Sequence, residues 1–266
     1  MDRDKLRIGV LGAGRIGRIH GGNVALHPRA RLAAVADASR EAARSLAEAT
    51  GAEIAEVDAV IEAADIDALV ICTPTDTHAD LVERGARAGK AIFCEKPVSL
   101  DAELTRACLR VVEETGTALM IGFNRRFDPS FATLRRRIAD GEIGEVELVT
   151  ILSRDPSPPP ADYLARSGGL FRDMMIHDFD MARFLLGEEP VEVHAVASCL
   201  VDPAIRRAGD VDTAAVMLKT ASGRIAQISN SRRATYGYDQ RIEVHGSLGL
   251  LAAGNRRTTT VEFADA

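Results

Sequence analysis

A chain of 266 residues with 46% hydrophobic and 27% charged side chains and a mean hydropathy of -0.02 reads as a globular protein long enough for two domains. Against 39 Asp plus Glu there are 33 Lys plus Arg, and the resulting net charge of -6 excludes a broad electrostatic grip on nucleic acid. The charged start, Met1 to Lys5, is no signal peptide and no apolar run is long enough to span a bilayer, so no membrane partner and a cytoplasmic location are expected.

From Leu6 to Gly122 short apolar runs (6–11, 31–36, 68–72, 91–94 and 118–122, with a weaker one at 52–55) alternate with amphipathic stretches. This alternation predicts a doubly wound parallel α/β sheet, a Rossmann domain over residues 1–123. Asp101 is placed to cap a helix that ends near Gly116. Residues 124–266 follow a different pattern and predict an α+β domain with a mainly antiparallel sheet. A helix starts near Pro129, a strand covers 146–153, and the Pro-rich stretch 155–160 reads as an ordered loop. A single helix is expected from Asp173 to Leu186, ended by Gly187, and strands at 191–198, 213–219, 224–231 and 241–246. Cys72, Cys94, Cys108 and Cys199 form no CxxC pair and read as reduced core residues.

Gly12, Gly14 and Gly17 form G-x-G-x-x-G directly between a strand and a helix, the context that a dinucleotide fingerprint requires. Gly12 allows the tight turn, Gly14 the close approach of a pyrophosphate, and Gly17 close helix packing, with Arg15 and Ile16 opening the helix that faces the anion. Asp37 ends the second strand where a carboxylate holds the adenosine ribose, which favours NAD over NADP because it repels a 2′-phosphate. Arg40, three residues on, softens that preference. Thr73, Pro74, Thr75 and His78 follow the next main strand at its carboxyl end and are assigned to the nicotinamide half, although Thr73 to Thr77 equally suit a helix cap.

Glu95, Lys96 and Pro97 end the following strand, which makes Lys96 the first catalytic candidate. In the second domain Asp173 and His177 are four residues apart, on one face of the expected helix, a spacing that suits either a proton-transfer pair or an ordinary helix-stabilising contact. No second histidine or cysteine falls at ligand spacing around Asp173, His177 and Asp178, so no metal is assigned.

The glycine fingerprint, Glu95-Lys96-Pro97 and Asp173-x-x-x-His177 together resemble the Gfo/Idh/MocA family of oxidoreductases. Within it the stretches GFNRRFDP (122–129), SRDPSPPP (153–160), GGLFRDMMIHDFDMARFLLG (168–187) and SRRATYGYDQRIEVHGS (231–247) resemble the members that oxidise inositol. The resemblance implies NAD-dependent oxidation of a cyclic polyol, with His177 as general base, Asp173 as its partner and Lys96 on the reacting hydroxyl. It also implies a cis peptide before Pro97, substrate contacts from Asn124, Arg126, Asp155 and Tyr236, and a homo-oligomer, commonly a tetramer. Arg126 and Arg232 also suit ion pairs between domains or subunits, and Tyr236 also suits packing in the sheet. Family members continue beyond the equivalent of Phe263 into a helical segment, which implies that such a segment is missing here. Other polyol or sugar dehydrogenases of the family, an NAD-dependent glycoside hydrolase and a non-catalytic NAD-binding sensor are the alternatives.

Overall fold

The computed structural model describes residues 5–255, so the expectation tied to Phe263 lies outside the described residues. The chain divides into two compact units, Met1–Phe123 and Asn124–Ala266.

In the first unit the elements alternate as β1 (Leu6–Leu11), α1 (Arg15–Leu26), β2 (Ala30–Ala36), α2 (Arg40–Thr50), β3 (Glu53–Ile54), α3 (Val57–Glu62), β4 (Ala68–Ile71), α4 (His78–Arg87), β5 (Ala91–Cys94), α5 (Ala102–Thr115) and β6 (Leu119–Ile121). The strands form one parallel sheet in the order β3-β2-β1-β4-β5-β6, so the order reverses beside β1. Local chemistry sets the helix limits. Asp101 accepts hydrogen bonds from the N–H groups of Glu103 and Leu104, and Gly51 and Gly116 end α2 and α5 in the left-handed conformation.

β4, β5 and the second half of β1 are apolar because most of their side chains on both faces are buried. Adjacent Val10 and Leu11 are both fully buried but feed opposite cores, Val10 packing with Leu32, Val35 and Leu46 and Leu11 with Leu69, Ile71 and Val82. Each such side chain contributes about 1.5–3 kcal/mol by leaving water. Ile8, Val70, Phe93 and Met120 line an open apolar groove along the middle of the sheet. Ligands of such sheets bind beyond the carboxyl ends of the strands, so this groove is not the cofactor cradle.

The second unit contains α6 (Pro129–Ala139), β7 (Val146–Arg154), α7 (Ala161–Ser167), α8 (Ile176–Leu186), β8 (Pro190–Ser198), α9 (Pro203–Arg207), β9 (Thr213–Thr220), β10 (Ile225–Ser231), β11 (Asp239–Gly246) and β12 (Gly249–Ala253). Its sheet runs β12-β11-β7-β10-β9-β8. All neighbours are antiparallel except β7 and β10, which makes the sheet mixed rather than purely antiparallel. Along β9 buried and exposed residues alternate, and Ala214, Val216 and Leu218 join Val149, Ile151, Ile228 and Val244 beneath Met181 and Leu185 of α8.

The single helix expected from Asp173 to Leu186 is interrupted. Gly168 and Gly169 both take positive φ, and the chain leaves them in one π turn, Leu170–Met174, before α8 begins at Ile176. The Met175 N–H closes that wider turn on the Leu170 carbonyl at 2.9 Å, while the Leu170 N–H is held by Asp210 Oδ1 at 3.1 Å. Asp173 therefore lies in the π turn and His177 in the first turn of α8, rather than in one uninterrupted α-helix. The Pro-rich loop leads into α7, and α3, α7, α9 and β12 are elements that hydrophobic periodicity did not reveal.

Candidate active site

The glycine-rich turn of the first unit is built by close backbone contact. Gly12 sits at φ 95°, and a Cβ there would meet the backbone of Cys72 and Thr73 at 2.6 Å; a Cβ on Gly17 would lie 1.8 Å from the Gly12 carbonyl oxygen. Beside Gly14, in contrast, the space is open, and no side chain caps α1, whose first residues are Arg15 and Ile16. An uncapped helix N-terminus with open space before it fits the pyrophosphate of a dinucleotide. Asp37 stands at the end of β2, where its Oδ2 accepts the Ala13 N–H at 2.6 Å and its Oδ1 the Ser39 N–H at 2.7 Å. It retains lone pairs for two ribose hydroxyls. Arg40 is exposed at the start of α2.

Beyond β4, Thr73, Pro74 and Thr75 form a short turn in which the Thr73 and Thr77 hydroxyls are 2.6 Å apart and Thr77 Oγ1 donates to the Pro74 carbonyl. Neither threonine caps α4. His78 needs a correction as a cofactor contact. It is buried, with Nδ1 2.8 Å from the Pro97 carbonyl and Nε2 2.8 Å from the Thr73 carbonyl, so its ring braces the loops after β4 and β5 against each other.

After β5, Glu95, Lys96 and Pro97 follow, with the expected cis peptide before Pro97. Glu95 Oε1 lies 2.7 Å from His20 Nε2 of α1, and Glu95 Oε2 accepts the Lys96 N–H at 3.3 Å. A Cβ on Gly122 would meet this carboxylate at 3.1 Å, so the glutamate occupies the space that the glycine leaves. Glu95 is thus held between α1 and β6 and is a brace for the half-buried Lys96. His20, one helical turn beyond Gly17, was missed as part of this arrangement; its helical spacing from the glycines was the available signal.

In the second unit a polar cluster surrounds the π turn. Asp173 accepts the Tyr163 hydroxyl on Oδ1 at 2.7 Å, and its Oδ2 lies 3.4 Å from Nη2 of Arg232, a residue only 1% exposed. His177 lies in the first turn of α8 and is partly accessible. The next residue, Asp178, is fully buried and bonded to Arg125 and to Asn230 Nδ2, while Arg125 also donates to Ser153 Oγ at 3.1 Å. Burial pushes the Asp178 carboxyl up against the opposing pull of Arg125 and the Asn230 bond. Asp155, just past β7, is raised by burial as well, and Arg232 opposes that rise.

Of the other substrate candidates, Asn124 is exposed at the start of the short turn 124–127. Arg126 makes a two-point pair with Asp180, at 2.8 and 2.6 Å, and lies over the Phe184 ring, so its guanidinium has a structural partner. Tyr236 is exposed, neither packed in the sheet nor paired beyond its own strand end, where its hydroxyl donates to Asp239 at 2.8 Å. Of the cysteines, Cys94 and Cys108 are core residues, whereas Cys199 lies on a loop with its thiol 3.2 Å from Asp212. Among the described residues no group of three metal-binding side chains occurs, and no helix is long and apolar enough to cross a membrane.

Residues 6–123 match the model of an oxidoreductase family with an NAD-binding Rossmann fold, and residues 131–252 match the GFO/IDH/MocA C-terminal domain. The inositol 2-dehydrogenase of Rhizobium meliloti is 66% identical over 259 residues, covering 97% of this chain and 78% of that protein. Among solved structures, a myo-inositol dehydrogenase from Corynebacterium glutamicum superimposes with a TM-score of 0.92 at 48% identity, over 98% of this chain and 79% of that one. A scyllo-inositol dehydrogenase from Lactobacillus casei, with NAD(H) and scyllo-inositol bound, gives 0.86 at 32% identity over 94% and 76%. With an NAD-binding first unit and a matching second unit, the chain belongs to the GFO/IDH/MocA family of oxidoreductases.

Proposed function

We propose that the chain oxidises myo-inositol to the 2-keto ring, with NAD as acceptor. The observation that carries this reading is the Asp173 carboxylate, oriented by Tyr163 and Arg232, four residues before a partly accessible histidine in a chain whose other unit binds NAD. Bound NAD supplies a hydride acceptor at the nicotinamide. The chain holds its pyrophosphate at Gly12, Gly14, Gly17 and the start of α1, and its ribose at Asp37. His177 takes the hydroxyl proton as the carbon is oxidised, Asp173 orients the ring and stabilises its protonated form, and Lys96 contacts the reacting hydroxyl. Asp155 and Asn124 are assigned to the remaining ring hydroxyls, which need polar partners in place of water. The Asp37 carboxylate opposes a 2′-phosphate, so NAD is preferred to NADP.

We assign the enzyme to the cytoplasm and to inositol breakdown. A homotetramer is supported by β8 and its neighbour, where Val191, Val193, Val196 and Met217 are exposed; light scattering on the purified chain tests it. For the activity, NADH formation is followed at 340 nm with myo-inositol, scyllo-inositol and open-chain sugar acids, and repeated with NADP. Turnover with myo-inositol and NAD that His177→Ala or Lys96→Ala abolishes is expected. Tight NAD binding with no net NADH from any polyol would overturn the reading in favour of a sensor.

A further inference from the structure

Arg232 is among the largest fully buried side chains of the second unit, and its Nε has no hydrogen-bond partner among the described residues. A buried guanidinium is costly unless carboxylates surround it, and removing one partner of such a set leaves the other charge uncompensated. The fold brings it there deliberately. At the end of β10 the Arg232 N–H is fixed by the Asp212 carbonyl at 2.9 Å, and the preceding carbonyl, of Ser231, accepts the Asp155 N–H at 3.0 Å. The side chain thereby reaches Asp173, 3.4 Å from its Oδ2, and its charge opposes the rise of the Asp155 carboxyl.

We propose that Arg232 is a positioning residue for proton transfer: its guanidinium, with the Tyr163 hydroxyl on the opposite oxygen, holds the Asp173 carboxylate in one orientation, so that it serves His177. The inference rests on the assignment of His177 as the base. Two donors on two oxygens leave the carboxylate little rotational freedom. Charged groups of the second unit around this pair include Asp155 after β7, Arg154 of β7, Asp178 of α8 with its partner Arg125, and Asp210 at the start of the π turn, and on the proposed function Lys96 is a further cation at the reacting hydroxyl. Asp178 is balanced by Arg125 and Asp210 holds the Leu170 N–H, while the Arg232 guanidinium lies on Asp173 Oδ2.

The test compares Arg232→Gln, Arg232→Lys and Tyr163→Phe in two measurements: the pH profile of kcat/KM with the inositol substrate, and the titration of His177 by NMR of histidine-labelled protein, which needs no turnover. Losing the cation stabilises the His177 imidazolium, so Arg232→Gln is expected to move the acid limb and the His177 midpoint to higher pH. Its kcat is expected to fall about a hundredfold through misplacement of the pair, with KM for NAD unchanged. Arg232→Lys keeps the charge and is expected to retain the wild-type limb with partly restored kcat. Tyr163→Phe, on a half-exposed residue that tolerates the change, is expected to lower kcat about tenfold without moving the limb. A shifted His177 midpoint in a chain that oxidises no inositol would support the positioning role while removing the substrate assignment. An unmoved midpoint in Arg232→Gln overturns the proposal, as does equal loss in the Gln and Lys variants with an unchanged limb. If Arg232→Gln does not fold, wild-type kcat in Tyr163→Phe overturns it.

Discussion

Replacing Gly17 by alanine adds one methyl group at the most crowded point of the glycine-rich turn. Its Cβ would stand 1.8 Å from the Gly12 carbonyl oxygen and 2.8 Å from the Gly12 carbonyl carbon, where ordinary contact begins near 3.4 Å. Backbone, not a flexible side chain, must therefore move, by about an ångström and a half, and overpacking of this kind costs about 1–3 kcal/mol. Alanine's helix preference returns up to about 1 kcal/mol, so the net sign is destabilising. At about 2–4 °C per kcal/mol for a protein of this size, Tm should fall by a few degrees. The displaced turn also loses alignment with the pyrophosphate, and charge-assisted bonds of about 1.5–3 kcal/mol predict an NAD affinity lower by about tenfold to a hundredfold. Gly22→Ala is the matched control: it lies in the same helix with nothing within 4 Å of its Cβ, and should raise stability by about 0.5–1 kcal/mol and leave NAD binding unchanged. Thermal melting and calorimetric titration of NAD measure both. Wild-type NAD affinity together with an unchanged or higher Tm in Gly17→Ala would refute the packing argument.

Asp212 accepts the N–H groups of Leu200, Val201 and Asp202, the Cys199 thiol and the Thr213 hydroxyl, and these bonds hold its pKa down at about 2 although burial alone would raise it. With the folded value below the unfolded one, its contribution is complete above about pH 4 and is lost as pH falls toward 2. Asp212→Asn should cost about 1.5–3 kcal/mol at pH 7 and less at pH 3, read from urea midpoints; an equal cost at both pH values would contradict this. Arg125→Ala leaves Asp178 buried without its cation and should cost about 3–5 kcal/mol, of which removing Asp178 as well should recover a large part. Additive denaturant midpoints for the two changes would count against the pairing. Burial pushes the Cys72 thiol up to about 12 and the Cys108 thiol to about 11, and raises Cys94 too. At pH 8 a thiol reagent should leave these three unmodified in native protein and label all four cysteines after unfolding. Rapid native labelling of Cys94 would contradict their burial.

The doubly wound sheet, the glycine turn and the caps at Asp101 and Gly116 were legible because each depends on residues close in sequence, where steric and hydrogen-bonding rules act directly. Asp37 was legible because strand length fixes its distance from the glycines. The π turn was not, since i,i+4 spacing of Asp173 and His177 matches an uninterrupted helix, and only the conformation of Gly168 and Gly169 with the Asp210 contact reveals the break. The role of His78 was misread and the ion pair of Arg126 missed for a related reason. Their partners, the Pro97 carbonyl and Asp180, are 19 and 54 residues away and become neighbours only through tertiary structure. Arg232 and Tyr163 reach Asp173 across 59 and 10 residues, and no local pattern marks either.

The two backbone bonds on Asp37 tie coenzyme choice to loop shape. The carboxylate assigned to the ribose also anchors Ala13 inside the glycine turn. Exchanging it for a small neutral residue to admit a phosphorylated coenzyme would therefore also release the Ala13 and Ser39 amides from their acceptor. Redesign toward NADP has to supply a replacement acceptor for Ala13 at the same time as a cation for the phosphate, and a library varying position 37 alone would return catalysts that lost NAD without gaining its analogue.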